Sequence, residues 1–165
     1  MRKAWILAAC LSLGACSGDD ATGPVGLDVR GTYVGAWMMT LSIPQLGENV
    51  NFSCPGSVTI STQSGASVSG TFVIRETADC DATSGTMNGT VRSDGGINFT
   101  IDVPGVEQDP FEVVLGCRFI GGSSQFNGTI AGGQLNANAS ATYDCPVNGS
   151  LLRVNFTVRL NATKA

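Results

Sequence analysis

The chain has 165 residues, no histidine, and nine Lys and Arg against thirteen Asp and Glu, for a net charge of −4. The lack of histidine excludes a histidine-based triad and removes the commonest catalytic metal ligand. Charged residues make up only 13% and form no basic patch, which argues against a nucleic-acid partner.

Arg2 and Lys3 open the chain, and Ala4 to Ala15 follow without a charge. A basic start before a short apolar core is the pattern of a secretion signal. An uncharged, mostly apolar run of twelve residues is too short to cross a bilayer, which needs about 20. The run ends in Leu13-Gly14-Ala15-Cys16, which resembles the lipobox of bacterial lipoproteins. Leu7-Ala8-Ala9-Cys10 has the same letters but comes too early in the apolar core. The resemblance implies cleavage before Cys16, diacylglycerol on its thiol and acylation of the new amino group. Two or three acyl chains make a stable membrane anchor, where one alone is marginal. In enterobacterial lipoproteins an Asp after the cysteine favours retention at the inner membrane. Ser17 therefore implies a cell-envelope protein, lipid-anchored at the outer membrane.

The expected organisation is a signal peptide over 1–15, a lipidated tether over 16–29 and one domain over 30–165. The tether is rich in Gly and Asp and lacks periodicity; such a linker spans on the order of 20 Å. After cleavage, seven basic residues face thirteen acidic ones. The acyl chains, not headgroup attraction, would hold the protein at the membrane.

Four cysteines remain in the domain: Cys54, Cys80, Cys117 and Cys145. An even number in an exported chain indicates disulfides. Of three possible connectivities, the spacing favours Cys54–Cys80 and Cys117–Cys145, because each pair brackets one predicted hairpin. The spacing offers no C-x-x-C pair and no histidine, so no metal site is expected.

The domain alternates apolar and polar residues with period two, the mark of half-buried strands. Strands are predicted over 33–43, 52–60, 68–74, 87–91, 97–103, 111–119, 126–130, 134–143 and 152–162. Ser64-Gly65, Asp94-Gly95-Gly96, Gly121-Gly122, Gly132-Gly133 and Asn148-Gly149 separate them as turn signals. Short connections leave no room for crossover helices. The fold class is therefore all-β: an antiparallel up-and-down meander of about 8–9 strands, closed into a barrel that leaves no free edge. Gly35, Gly70, Gly89 and Gly128 fall inside strands, three of them in a repeated phrase such as Asn88-Gly89-Thr90-Val91. That placement suits strong coiling at barrel corners.

Gly35-Ala36-Trp37 on the first predicted strand resembles the G-x-W signature of lipocalins, and the Gly-Thr-aromatic phrases resemble avidins. The resemblance implies a calycin-like barrel and an arginine from the last strand laid across Trp37, with Arg153 and Arg159 as candidates. Later lipocalin motifs and the binding-site tryptophans of avidins are absent, so biotin binding is not implied.

The carboxylates are scattered. Asp79, Asp81, Asp94, Glu107 and Asp109 fall at predicted turns, and Asp102 and Glu112 on the outward phase of strands. Asp79-Cys80-Asp81 reads as a solvated turn rather than a calcium loop, and nothing places two carboxylates in one cleft. Eight Asn-x-Ser/Thr triplets read as a polar strand face. No enzyme, cofactor or metal is expected. The inward Trp37, Met39, Phe99, Phe126 and Tyr143 either fill the barrel or line a site for a small apolar ligand. The expected function is a lipid-anchored, non-enzymatic lipoprotein that binds a small apolar molecule or an envelope protein. The alternative is a structural or surface-interaction lipoprotein with a side-chain-filled barrel and no ligand. A transmembrane barrel would show the same alternation with its faces reversed.

Overall fold

The alternating runs pair in chain order. In the computed structural model, which describes residues 27–105, 112, 116–147 and 149–165, eight strands form the fold. They are β1 (Gly31–Ile43), β2 (Glu48–Ser64), β3 (Ser67–Ile74), β4 (Thr83–Val91), β5 (Gly96–Asp102), β6 (Arg118–Ala131), β7 (Gln134–Val147) and β8 (Ser150–Lys164). Each is antiparallel to the next, and β8 pairs with β1 to close the barrel. The expected signal segment, Cys16 and the expected tether as far as residue 26 lie outside the described residues.

One expected strand is absent among the described residues. Glu112 has helical backbone, and the sheet resumes only at Arg118. Residues 111 and 113–115 lie outside the description. Arg118 and Phe119 instead begin β6, and Gly121-Gly122, read in the sequence as a turn, lies within that strand. The pairing of β6 with β7 slips between Phe119 and Gly121 and again between Ser123 and Asn127. A strand glycine can mark a bulge as well as a turn, and Gly122 takes φ 107° here. The other glycine signals do form turns. Gly132 and Gly133 have φ 56° and 76°, the paired left-handed geometry of a tight hairpin. Pro44 to Gly47 makes a further turn between β1 and β2.

The phase of each strand is as the alternation predicts. Tyr33, Trp37, Val58, Phe72, Met87, Phe99, Leu135 and Leu160 are all at most 1% exposed, and no polar residue is fully buried among those described. Asn, Ser, Thr and Arg face out, the reverse of a lipid-facing barrel. The interior glycines allow close strand approach. A Cβ at Gly35, Gly70, Gly89 or Gly128 would strike the backbone carbonyl of Asn161, Thr59, Asn98 or Asn136 on the next strand.

Both expected disulfides form, Cys54–Cys80 and Cys117–Cys145. Cys80 lies between β3 and β4, and Cys117 just before β6. Both bridges therefore brace the same end of the barrel, where the longest connections lie. The opposite end receives the chain at Leu27 to Arg30.

Candidate functional site

The interior differs along its axis. At the entry end it is capped. The slip in pairing between Ile60 and Thr62 turns Gln63 inward. Its amide donates to the Leu27 carbonyl at 2.9 Å and accepts from the Val29 N–H at 3.0 Å. The Tyr33 hydroxyl donates to the Val29 carbonyl at 2.8 Å, and the Lys164 ammonium lies 6.0 Å from the Tyr33 ring centre. Val29 is fully buried beneath.

Burial disfavours the Tyr33 phenolate, and the charge of Asp28 adds to that, so its pKa lies above the ordinary tyrosine value. The folded chain then keeps a proton that the unfolded chain loses near pH 10. Stability is thus intact below about pH 10 and falls as pH rises through the folded pKa. Urea unfolding at rising alkaline pH should show this fall in the wild type and a smaller one in Tyr33→Phe. An equal fall in both would assign it to other groups.

The middle of the barrel is filled by aromatics. Trp37 meets Phe72 and Phe126 edge-on, each at 5.7 Å between ring centres, and Phe126 stacks on Phe99 at 4.9 Å. Gly56 on β2 lies against the indole, where a Cβ would come within 2.9 Å of its Nε1. That Nε1 is buried and has no hydrogen-bond partner among the described residues.

Toward the disulfide end the interior side chains are less fully buried. Met39, Phe52, Ile101 and Val158 are partly buried against the aromatic core. Leu41 and Phe156 are partly buried against a second, smaller cluster of Cys117, Tyr143, Cys145 and Val154. In register, Met39 pairs with Phe52 and Val158, one step along β1 from Trp37. The result is a ring of partly buried apolar side chains above the indole.

The five candidate residues do not share one site. Trp37, Phe99 and Phe126 form one contact group, with Met39 against the same core. Tyr143 belongs to the other cluster, 5.7 Å from the Phe119 ring. Neither candidate arginine lies over Trp37. Arg153 is exposed and donates to Asp144 at 3.3 Å, and Arg159 sits on the outward face opposite Asn138 and Met38. The first-strand aromatic that meets a last-strand cation is Tyr33, with Lys164. The meeting depends on the register of β8 against β1, which sets Lys164 opposite Tyr33 and which neither strand shows by itself.

The carboxylates stay apart. Asp79, Asp81 and Asp94 are exposed at turns, and Asp102 is exposed at the end of β5. Glu112, expected on a strand, instead accepts from the Phe119 N–H at 3.2 Å. Glu107 and Asp109 lie outside the described residues. No cluster of three metal-ligating side chains occurs among the described residues.

Compared with protein-family models, with curated proteins and with solved structures, the chain matches none of them.

Proposed function

We propose that this is a lipid-anchored, non-enzymatic lipoprotein of the bacterial cell envelope, held at the outer membrane through Cys16, with a calycin-like barrel that takes a small, largely apolar ligand at its disulfide end. The supporting observation is the Trp37 Nε1–H, unpartnered among the described residues, below a ring of partly buried apolar side chains. A buried donor without an acceptor costs about 1–3 kcal/mol. A ligand with an apolar body and one acceptor oxygen would remove that penalty and cover the ring. The lipobox-like Leu13-Gly14-Ala15-Cys16 supports the anchor, and Gly35-Ala36-Trp37 on β1 of a closed eight-stranded meander supports the calycin likeness.

The mutual packing of Trp37, Phe72, Phe99 and Phe126 favours a second reading, a structural lipoprotein with a filled barrel. One titration separates the two. Trp37 is the sole tryptophan once residues 1–15 are removed, so its fluorescence reports the interior alone. The processed protein in lipid nanodiscs is titrated with a brominated fatty acid. Saturable quenching is expected, about tenfold weaker in Leu41→Glu. Fluorescence that stays flat leaves the filled barrel standing. Lipid labelling tests the anchor separately: a Cys16→Ser precursor that still incorporated labelled palmitate would remove it.

A further inference from the structure

The outward face carries a pattern that folding alone does not require. Asn98 on β5 lies opposite Asn127 on β6, Asn127 opposite Asn138 on β7, and Asn138 opposite Arg159 on β8. Asparagine is depleted in strands, and threonine meets the same water with a better strand preference. Three asparagines in one row, on three adjacent strands, therefore weaken the sheet locally. The neighbouring rows repeat the chemistry, with Asn136 opposite Asn161 and Ser140 opposite Thr157.

The part of this pattern on β7 and β8 lines a groove of about 490 Å³, which Asn98 and Asn127 do not reach. Asn136, Asn138, Ser140, Thr157, Arg159 and Asn161 form its walls, with no carboxylate among them. Among the described residues Arg159, like Arg75, makes no ion pair, whereas Arg30, Arg92 and Arg153 each pair with an aspartate, and of the two only Arg159 lines the groove. Asp144, the one acid on β7 and β8, is taken by Arg153 at 3.3 Å and Arg118 at 4.0 Å. An unpaired guanidinium in an acid-free groove stands out on a chain of net charge −4.

From this we infer that the groove is a binding site for an acidic polysaccharide, with Arg159 holding a sugar carboxylate. Amides and hydroxyls both donate and accept, as sugar hydroxyls do. A guanidinium grips a carboxylate through two parallel hydrogen bonds. Spacing matches as well. Adjacent strands lie about 4.8 Å apart, roughly the length of one pyranose unit. A glycan segment laid across β7 and β8 would meet the amides of Asn138, Asn136 and Asn161 and then Arg159. This site lies outside the barrel and does not rest on the interior ligand.

The test is calorimetric titration of the processed protein, in zwitterionic nanodiscs at low salt, with oligogalacturonate and with a maltooligosaccharide of equal length. The uronate is expected to bind about tenfold tighter than the neutral sugar, and added salt should weaken it. Arg159→Gln should lose about that factor and the salt dependence with it. Asn138→Thr, which favours the strand and so keeps the fold, should weaken binding several-fold. No binding of the uronate, equal binding of the two sugars, or an Arg159→Gln variant that binds like the wild type would overturn the proposal. Trp37 fluorescence reads the interior independently.

Discussion

Removing both disulfides should lower the unfolding free energy by about 7 kcal/mol on the chain-entropy account. The separations of 26 and 28 residues give each bridge about 3.5 kcal/mol. A single domain typically has 5–15 kcal/mol in total, so roughly half or more of the stability is at stake. The two bridges guard different parts of one end. Cys54–Cys80 pins the connection between β3 and β4 to the inner face of β2. Cys117–Cys145 joins the start of β6 to β7 inside the small cluster with Tyr143 and Val154. All four cysteines are at most 8% exposed. Dithiothreitol should therefore act slowly on the native protein and quickly in moderate urea, because reduction needs local opening. Urea midpoints of Cys54→Ala/Cys80→Ala, of Cys117→Ala/Cys145→Ala and of the quadruple variant measure the contributions. A quadruple variant as stable as the wild type would show that the bridges do not limit the unfolded chain. Because both braces lie at one end, a loss larger or smaller than the sum would report their coupling.

The strand phases and the disulfide pairing were legible because both are local. Alternation along β7, from Leu135 through Ala137, Ala139 and Ala141 to Tyr143, needs no partner strand to be read. Each cysteine pair brackets a short stretch of a meander, so chain order alone brings its members near. What was not legible depends on register. Gly121-Gly122 has the letters of a turn, yet the pairing of β6 with β7 continues through it with a slip. Gln63 sits beyond the inward run of β2, and only the shift after Ile60 turns it to the cap. Tyr143 and Trp37 share an inward phase, but their heights in the barrel separate them into two clusters. The Asn98–Asn127–Asn138–Arg159 row joins four strands, and no window of sequence contains it. Inward or outward is thus a property of one strand, whereas a site is a property of several in register.

The sharpest consequence of the interior lies in two substitutions at Trp37. Trp37→Ala should cost about 3–5 kcal/mol, the usual range for emptying a large buried aromatic. It removes both edge contacts, to Phe72 and to Phe126, and leaves a void against Gly56. Trp37→Phe should behave differently. It keeps a ring in place and empties only part of the indole's volume, so its cavity cost lies well below that of the alanine change. It also deletes a buried N–H that has no acceptor among the described residues, a gain of about 1–3 kcal/mol. The two terms oppose each other, so the phenylalanine variant should lie much closer to the wild type than the alanine variant does. Urea unfolding followed by far-ultraviolet dichroism measures both, since neither variant keeps the tryptophan signal. The same Trp37→Phe protein should bind an acceptor-bearing apolar ligand more weakly than the wild type while folding as well. A phenylalanine variant as unstable as the alanine variant would mean that the indole N–H is already satisfied in the free protein. The ligand would then lose the donor on which its proposed place in the barrel depends.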